Sequence, residues 1–358
     1  LLEQVQQQIE RYSVRPQHIA RREFNAFPEE LGTTQRPPLP RGYERLAEQP
    51  NGPDIGWRMA EFERIALQAI DAWYQGTELS APAHLVHVTC AGYASPSPAQ
   101  RFAVNRGWLE TAITHSYHMG CYGAFPATRT AAGLVSGTLS NSTSTPARVD
   151  VVHTEYLSNH FAPLAQKPSD IVDMTLFADG FIGYSLLAES ARPARRSALR
   201  LLAHHEQLIG DTLHEMSWKL GPHAFEMHLS KEVPQAVLRC FPGFARKLCE
   251  QARIELSREK EQMLFALHPG GPKIIDHLAR SLELRPDQVR HSREVLREHG
   301  NMSSATVPHI LLRMLDDPEV PIGTRVLAAG FGPGLTATGM LFQKLGPALS
   351  CTDAAATL

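Results

Sequence analysis

Continuous apolar runs, each about the length of a strand and bounded by turn residues, constrain this chain more than any other feature. The segment AHLVHVTCAGYASP (83–96) reads as a buried strand that runs into a loop, and RVDVVHTEYLS (148–158) as a second. SLLAES (185–190) reads as the end of a third. EQMLFALHPGGPKIIDHLARSLEL (261–284) reads as strand, tight Gly/Pro turn and helix, and TRVLAAGFGPGLTATGMLF (324–342) as strand, glycine loop and apolar segment. Helical patterns lie between them. MAEFERIALQAIDAW (59–73) carries apolar residues at helical spacing, SSATVPHILLRMLDD (303–317) does the same, and EVPQAVLRCFPGFARKLCEQARIE (232–255) is helical with Pro242-Gly243 as an interruption. Strands alternating with helices mean an α/β architecture.

Residues 1–75 are mostly helical in pattern, broken by the loops TTQRPPLPRG (33–42) and EQPNGPDIG (48–56). The charged, proline-containing stretch ARPARRSALR (191–200) is the candidate link between two halves, 1–193 and 194–358. His204, His205 and His214 read as lying on a helix, and they have no carboxylate or cysteine partner at metal-ligand spacing, so no metal is expected there.

With 358 residues and 43% hydrophobic content the chain buries a large core. A net charge of −2 gives no basic patch of the kind that grips nucleic acid. Five cysteines without a CxxC fit a reducing compartment, and a cytoplasmic location is expected. No apolar run reaches the ~18 residues of a membrane span. No signal peptide is visible, and because the chain begins at Leu1 rather than Met its natural start is expected upstream.

Three short stretches each put one reactive side chain beside glycine at an element junction: HMGCYGAFPATRTA around Cys121, LHPGGPK around His268, and HGNMSSATV around Asn301. Glycine there allows close backbone approach and unusual dihedrals, which suits residues that face a cavity. A cysteine at a helix N-terminus has its thiolate favoured by the helix dipole and a nearby imidazole. That thiolate takes an acyl group from a thioester, and a histidine with a side-chain amide then stabilises an enolate or oxyanion. The chemistry needs no metal or organic cofactor. Each residue alone has a plainer reading, as core cysteine, turn histidine and helix-cap asparagine.

Together, and in this order, the stretches resemble the thiolase superfamily of condensing enzymes, most closely the type III polyketide synthases (chalcone-synthase-like enzymes). The matching motifs are GCYGA at Cys121, HPGGPKI from His268, GNMSSATV at Asn301 and the loop GFGPGLT (330–336), with looser likeness in VDVVHTEYLSNHF (149–161), LFADG (176–180) and FEMHLSKEVP (225–234). The resemblance implies an αβαβα fold of two similar halves and a homodimer. It implies that Cys121 carries the acyl group, and that His268 and Asn301 decarboxylate a malonyl thioester and hold the enolate for a Claisen condensation. The substrates implied are acyl-CoA and malonyl-CoA. It also implies substrate contacts from Gly270, Ser303, Gly332 and Gly334, a gatekeeper at Phe161 with Met227 opposite, and cavity positions at Cys90 and Trp218. A large residue at Trp218 implies a short cavity and one or two extensions.

One departure stands beside the cysteine. Phe125 and Pro126 replace the usual small residues, and proline fits only the first turn of a helix, so a later helix start is expected. Two rivals remain at this level. A ketoacyl synthase fed by an acyl carrier protein would use the same triad. A non-catalytic partner subunit typically lacks the cysteine or the histidine, and both are present here.

Overall fold

The structure is a computed structural model, and it describes residues 7, 9–26, 39–46, 48–75, 79–140, 147–161, 168–193 and 196–347, without the side chains of 138–140 and 168–169. Sheet one has the order β2–β1–β3–β4. Its strands are β1 (His84–Thr89), β2 (Ala112–Tyr117), β3 (Val149–Glu155) and β4 (Gly180–Leu186). β1 runs parallel to β2 and β3, and β4 pairs antiparallel with β3. Sheet two has the order β5–β10–β9–β8, from β5 (Ala198–Leu208), β8 (Leu264–Leu267), β9 (Arg325–Gly332) and β10 (Thr336–Leu345). β6 (Met216–Leu220) and β7 (Phe225–Leu229) form a separate hairpin.

The helices fill the layers around these sheets. α3 (Ala124–Ser140) packs on β1, β3 and β4 and reaches β10, and α8 (Thr306–Asp316) packs on β8 and β9 and reaches β4. Both therefore lie between the sheets. α1 (Ile55–Gln75) covers the far side of sheet one with α2 (Pro98–Asn105) against it, and α5 (Val233–Gln251) covers sheet two with α6 (Pro272–Ser281) against it. The result is an αβαβα stack. α3 is rich in Ala and Gly, so the two sheets close on it, and Ala127, Ala131 and Val135 join Val86, Val88, Val149 and Val151 in one core cluster. β3, covered on both faces, is buried along its whole length, so it shows no alternation of buried and exposed positions, and its polar residues Asp150, His153, Thr154 and Glu155 are buried too.

Several sequence expectations change. Residues 232–255 were expected to break at Pro242, yet α5 runs through it. The face carrying Phe241, Phe244, Ala245 and Leu248 is buried on both sides of the proline, and that burial outweighs the ~3 kcal/mol an internal proline costs. Helix α3 begins at Ala124, three residues past Cys121, and Pro126 falls in its first turn, where the missing N–H has no intrahelical partner to lose. His204 and His205 lie on strand β5, not on a helix, and His214 lies in a turn. The described residues before Ile55 are largely non-helical, contrary to the expectation for 1–75. The described part of 191–200 leads into β5, while 194–195 lie outside the described residues.

Candidate active site

The chain reaches Cys121 through a tight turn. His118 and Gly120 both have positive φ, 61° and 78°, and a 3₁₀ turn over Gly120–Tyr122 then feeds α3. The stretch expected as a glycine loop is the end of β9, through Gly332, and the tight turn after it, and both press on the cysteine turn. A Cβ on Gly120 would sit 2.6 Å from Pro333 Cδ, and one on Gly332 would sit 2.2 Å from Tyr122 Cδ1. Those two glycines are required by close packing of the loop against the cysteine turn.

Asn301 sits one residue past the helix α7 (Arg290–His299), after Gly300 with φ 75°. Its backbone is clamped on both sides: Asn301 N donates to Leu176 O (2.9 Å), and Ala178 N donates to Asn301 O (2.9 Å). Its side chain is oriented as well. Ser303 N donates to Asn301 Oδ1 (2.9 Å), which turns Nδ2 toward Cys121 Sγ at 4.0 Å. Burial pushes the Cys121 thiol up to about 12, so it rests protonated, with the negative charge of Glu155 acting in the same direction. The helix end does not hold it as a thiolate at rest.

His268 is the first residue past β8, and its N–H donates to Ala329 O (2.8 Å) on β9. Gly270 N folds back onto His268 O (3.0 Å). The residue is 2% exposed, and neither Nδ1 nor Nε2 has a hydrogen-bond partner among the described residues. Burial pulls it down to about 3, so the imidazole is neutral. Leaving both nitrogens of a buried imidazole unpaired is costly, and it suits a group whose partner is a substrate.

Cys90 is buried beside Cys121. Gly120 N donates to Cys90 Sγ (3.0 Å). Trp218 on β6 donates its indole N–H to Cys90 O (2.8 Å), and Met227 faces Trp218 across the β6–β7 hairpin. The hairpin is bound to the cysteine turn by His118 Nε2 against Trp218 O (2.8 Å). Phe161 packs its ring on Tyr43, with centroids 5.7 Å apart, and its carbonyl accepts from the Tyr43 hydroxyl. The fully buried Arg58 donates to the neighbouring Asn159 carbonyl and holds that segment. Gly334 has φ 102° at the turn of the 330–334 loop.

Other residues of the site were not singled out from sequence. Glu155, at the buried end of β3, accepts from Cys90 N (2.9 Å) and from the backbone and hydroxyl of Ser304. Burial raises its carboxyl to about 7. Phe177 pairs its backbone with Asn301. A glutamate closing an otherwise buried strand was the available signal for the first.

Residues 200–346 match the family described as chalcone and stilbene synthases, C-terminal domain. The chain is 28% identical over 270 residues to type III polyketide synthase 21 of Oryza sativa subsp. japonica, covering 73% of this chain and 66% of that protein. It is 32% identical over 181 residues to 1,3,6,8-tetrahydroxynaphthalene synthase of Streptomyces griseus, covering 51% of this chain and 48% of that one. It thus spans just under two thirds of the first relative and about half of the second. Among solved structures it resembles PKS-I of the brown alga Ectocarpus siliculosus, with TM-score 0.80 at 23% identity over 96% of this chain and 90% of that one. It also resembles the tetrahydroxynaphthalene synthase of Streptomyces coelicolor A3(2), with TM-score 0.73 at 26% identity over 82% of each. The fold is that of the thiolase-type condensing enzymes.

Proposed function

We propose that this chain, a homologue of the type III polyketide synthases by sequence and fold, is an acyltransferase that loads an acyl group onto Cys121 and extends it by decarboxylative condensation with a malonyl thioester. The observation that carries the reading is a buried His268 with both ring nitrogens unpaired, together with an Asn301 amide aimed at Cys121 Sγ. Acyl transfer forms the bond from sulfur to the acyl carbon and releases the donor thiol. The malonyl thioester then loses CO₂, and the enolate oxygen so formed is held by N–H donors from His268 and Asn301. The enolate carbon attacks the Cys121 thioester, and the thiolate leaves. CoA esters are the proposed donors, with no cofactor. Trp218 and Met227 on the hairpin limit the product to one or two extensions. The edge strand β2 is partly exposed along its length, and it is the proposed seam of a homodimer. The four cysteines among the described residues are free, in keeping with a cytoplasmic setting.

Intact-protein mass spectrometry tests this. Wild type and Cys121→Ala are incubated with a panel of acyl-CoAs, with and without malonyl-CoA, and native mass is read on the same samples. The expected result is an acyl mass gain on wild type only, discharged by malonyl-CoA, on a dimer. Loading from carrier-bound acyl groups alone would assign a carrier-protein donor. No loading from either source would overturn the catalytic reading.

A further inference from the structure

The β6–β7 hairpin, which carries Trp218 and Met227, belongs to neither four-stranded sheet, and among the described residues its strands pair only with each other. Within those strands only Phe225 is buried. Where the hairpin stands over the cysteine turn is therefore decided by a few contacts. The Phe225 ring stacks on His160, with centroids 4.4 Å apart and planes 13° apart. His118 (5.1 Å), Trp218 (5.6 Å) and Tyr93 (5.9 Å) meet it edge-on and complete a socket of rings. The hairpin tip is held more loosely. Ile55 N reaches Pro222 O at 3.4 Å, and Asn51 Nδ2 lies 3.4 Å from His223 Nε2.

His160 bonds both sides of this joint. Phe225 N donates to His160 Nδ1 (3.1 Å), and His160 Nε2 meets Ala91 O (2.7 Å). A backbone N–H only donates and a carbonyl only accepts, so Nδ1 holds the lone pair and Nε2 the proton. Burial pulls the ring down to about 3, which keeps Nδ1 free to accept throughout the neutral range. Ala91 follows Cys90, whose Sγ accepts from Gly120 N beside Cys121. One side chain thus spans from the cysteine wall to the hairpin. The backbone under His160 is fixed separately. In the turn Leu157–His160, Ser158 N and Oγ each donate to the buried Asp179 at 2.7 Å. Asn159 Nδ2 donates to Arg58 O (2.7 Å), and Asn159 O accepts from the buried guanidinium of Arg58. Of the two bodies that His160 joins, the turn is the anchored one, and the hairpin takes its place from the joint.

We infer that His160 is a positioning residue that fixes the β6–β7 hairpin against the wall of the cysteine site and so sets how long a product chain the site holds. The second half of this rests on Cys121 being the acyl acceptor. His160 acts through the hairpin rather than on the substrate. Its bond to Phe225 N fixes β7, and β6 follows because Trp218 and Met227 are register partners across the pair.

Hydrogen exchange tests the joint without any substrate. Peptides covering the hairpin (216–229) are read by mass spectrometry, with β3 peptides (149–155) as the reference for the whole fold. His160→Phe keeps a ring of similar bulk to stack on Phe225 and loses both bonds. Its hairpin is expected to exchange roughly tenfold faster while β3 is unchanged, the local opening that follows loss of buried hydrogen bonds. His160→Gln carries a donor and an acceptor on one amide and is expected to return most of the protection. Wild type and His160→Phe are then given the same acyl-CoA and malonyl-CoA, and the products are sized by mass. Longer products are expected from His160→Phe. Because the bulk at 160 is kept, lengthening reports a moved hairpin and not a vacated space. If His160→Phe does not fold, His160→Asn takes its place: it keeps an acceptor for Phe225 N, falls short of Ala91 O, and is expected to show a smaller rise. Unchanged hairpin exchange in the folded variant, an equal rise in His160→Gln and His160→Phe, or faster exchange with products of unchanged length would overturn the inference. If wild type loads no acyl group, the polyketide reading fails, while the exchange result still decides whether His160 fixes the hairpin.

Discussion

His153 and His268 are both buried imidazoles, one near the C-terminal end of β3 in sheet one and the other just past β8 in sheet two. Burial holds both neutral. Both nitrogens of His153 are engaged, with Ser304 and Tyr184. Neither nitrogen of His268 is. The difference separates two jobs that look alike in sequence. A satisfied buried imidazole stabilises its surroundings and fixes a tautomer, whereas an unsatisfied one costs stability and keeps its donors for a substrate.

The sharpest way to break this contrast is to remove each ring in turn. His268→Leu is expected to lower extension of the loaded acyl group by about 10²- to 10³-fold, the usual cost of losing one donor to a developing oxyanion. Acyl loading on Cys121 persists, and stability changes by less than ~1 kcal/mol because no partner is stranded. His153→Leu is expected to cost ~1–3 kcal/mol, since it removes two buried hydrogen bonds, to Ser304 and Tyr184, whose hydroxyls keep their bonds to Glu155 and Thr128. Single-turnover kinetics and urea denaturation read the two effects. A His268→Leu protein as destabilised as His153→Leu would erase the distinction.

The same contrast explains what the sequence made legible. The motifs around Cys121, His268 and Asn301 stand out because glycine marks where backbones touch, as at Gly120 against Pro333. Those contacts recur as short contiguous strings. The arm through Thr128, Tyr184, His153, Ser304 and Glu155 draws on three separate elements and a turn, and nothing in any one segment announces it. VDVVHTE reads correctly as a buried strand, but its His and Glu look like interruptions until the partners arrive from β4 and the 303–305 turn. β5 was misread for a related reason. The apolar residues of ALRLLAHHEQL fit no clean alternation, and the strand is decided by pairing with β10.

Acid should act on the two sets of buried groups in opposite senses. His87, His153, His160 and His268 are each lowered to about 3. The unfolded chain protonates them near 6.5 and the folded chain does not, so stability falls as pH drops below that value, by up to ~1.4 kcal/mol per histidine per pH unit. Glu155, Asp173 and Asp179 are raised to about 7, 7 and 6. The folded chain binds those protons more tightly, so their contribution grows as pH falls from 7 and levels off near 4.5 for Glu155 and near 3.8 for the two aspartates. Between about 6.5 and 4.5 the two sets largely offset each other. Below 4.5 Glu155 adds nothing more, and below about 4 the histidines act alone, so the loss should steepen. Denaturation midpoints measured from pH 7 to 4 check this, and a steepest loss above pH 5.5 would contradict it.

The smallest effect belongs to the hairpin, which joins the wall of satisfied groups to the cysteine turn. Trp218 gives its N–H to Cys90 O, and its own carbonyl meets His118, three residues before Cys121. Trp218→Phe keeps an aromatic ring but removes the donor, so it should cost ~1 kcal/mol of stability, the net worth of one buried hydrogen bond. Acyl loading on Cys121 should persist in Trp218→Phe, read by intact mass after incubation with an acyl-CoA. A loss of loading beyond the stability change would mean that the hairpin also sets the cysteine turn through the bond from its carbonyl to His118.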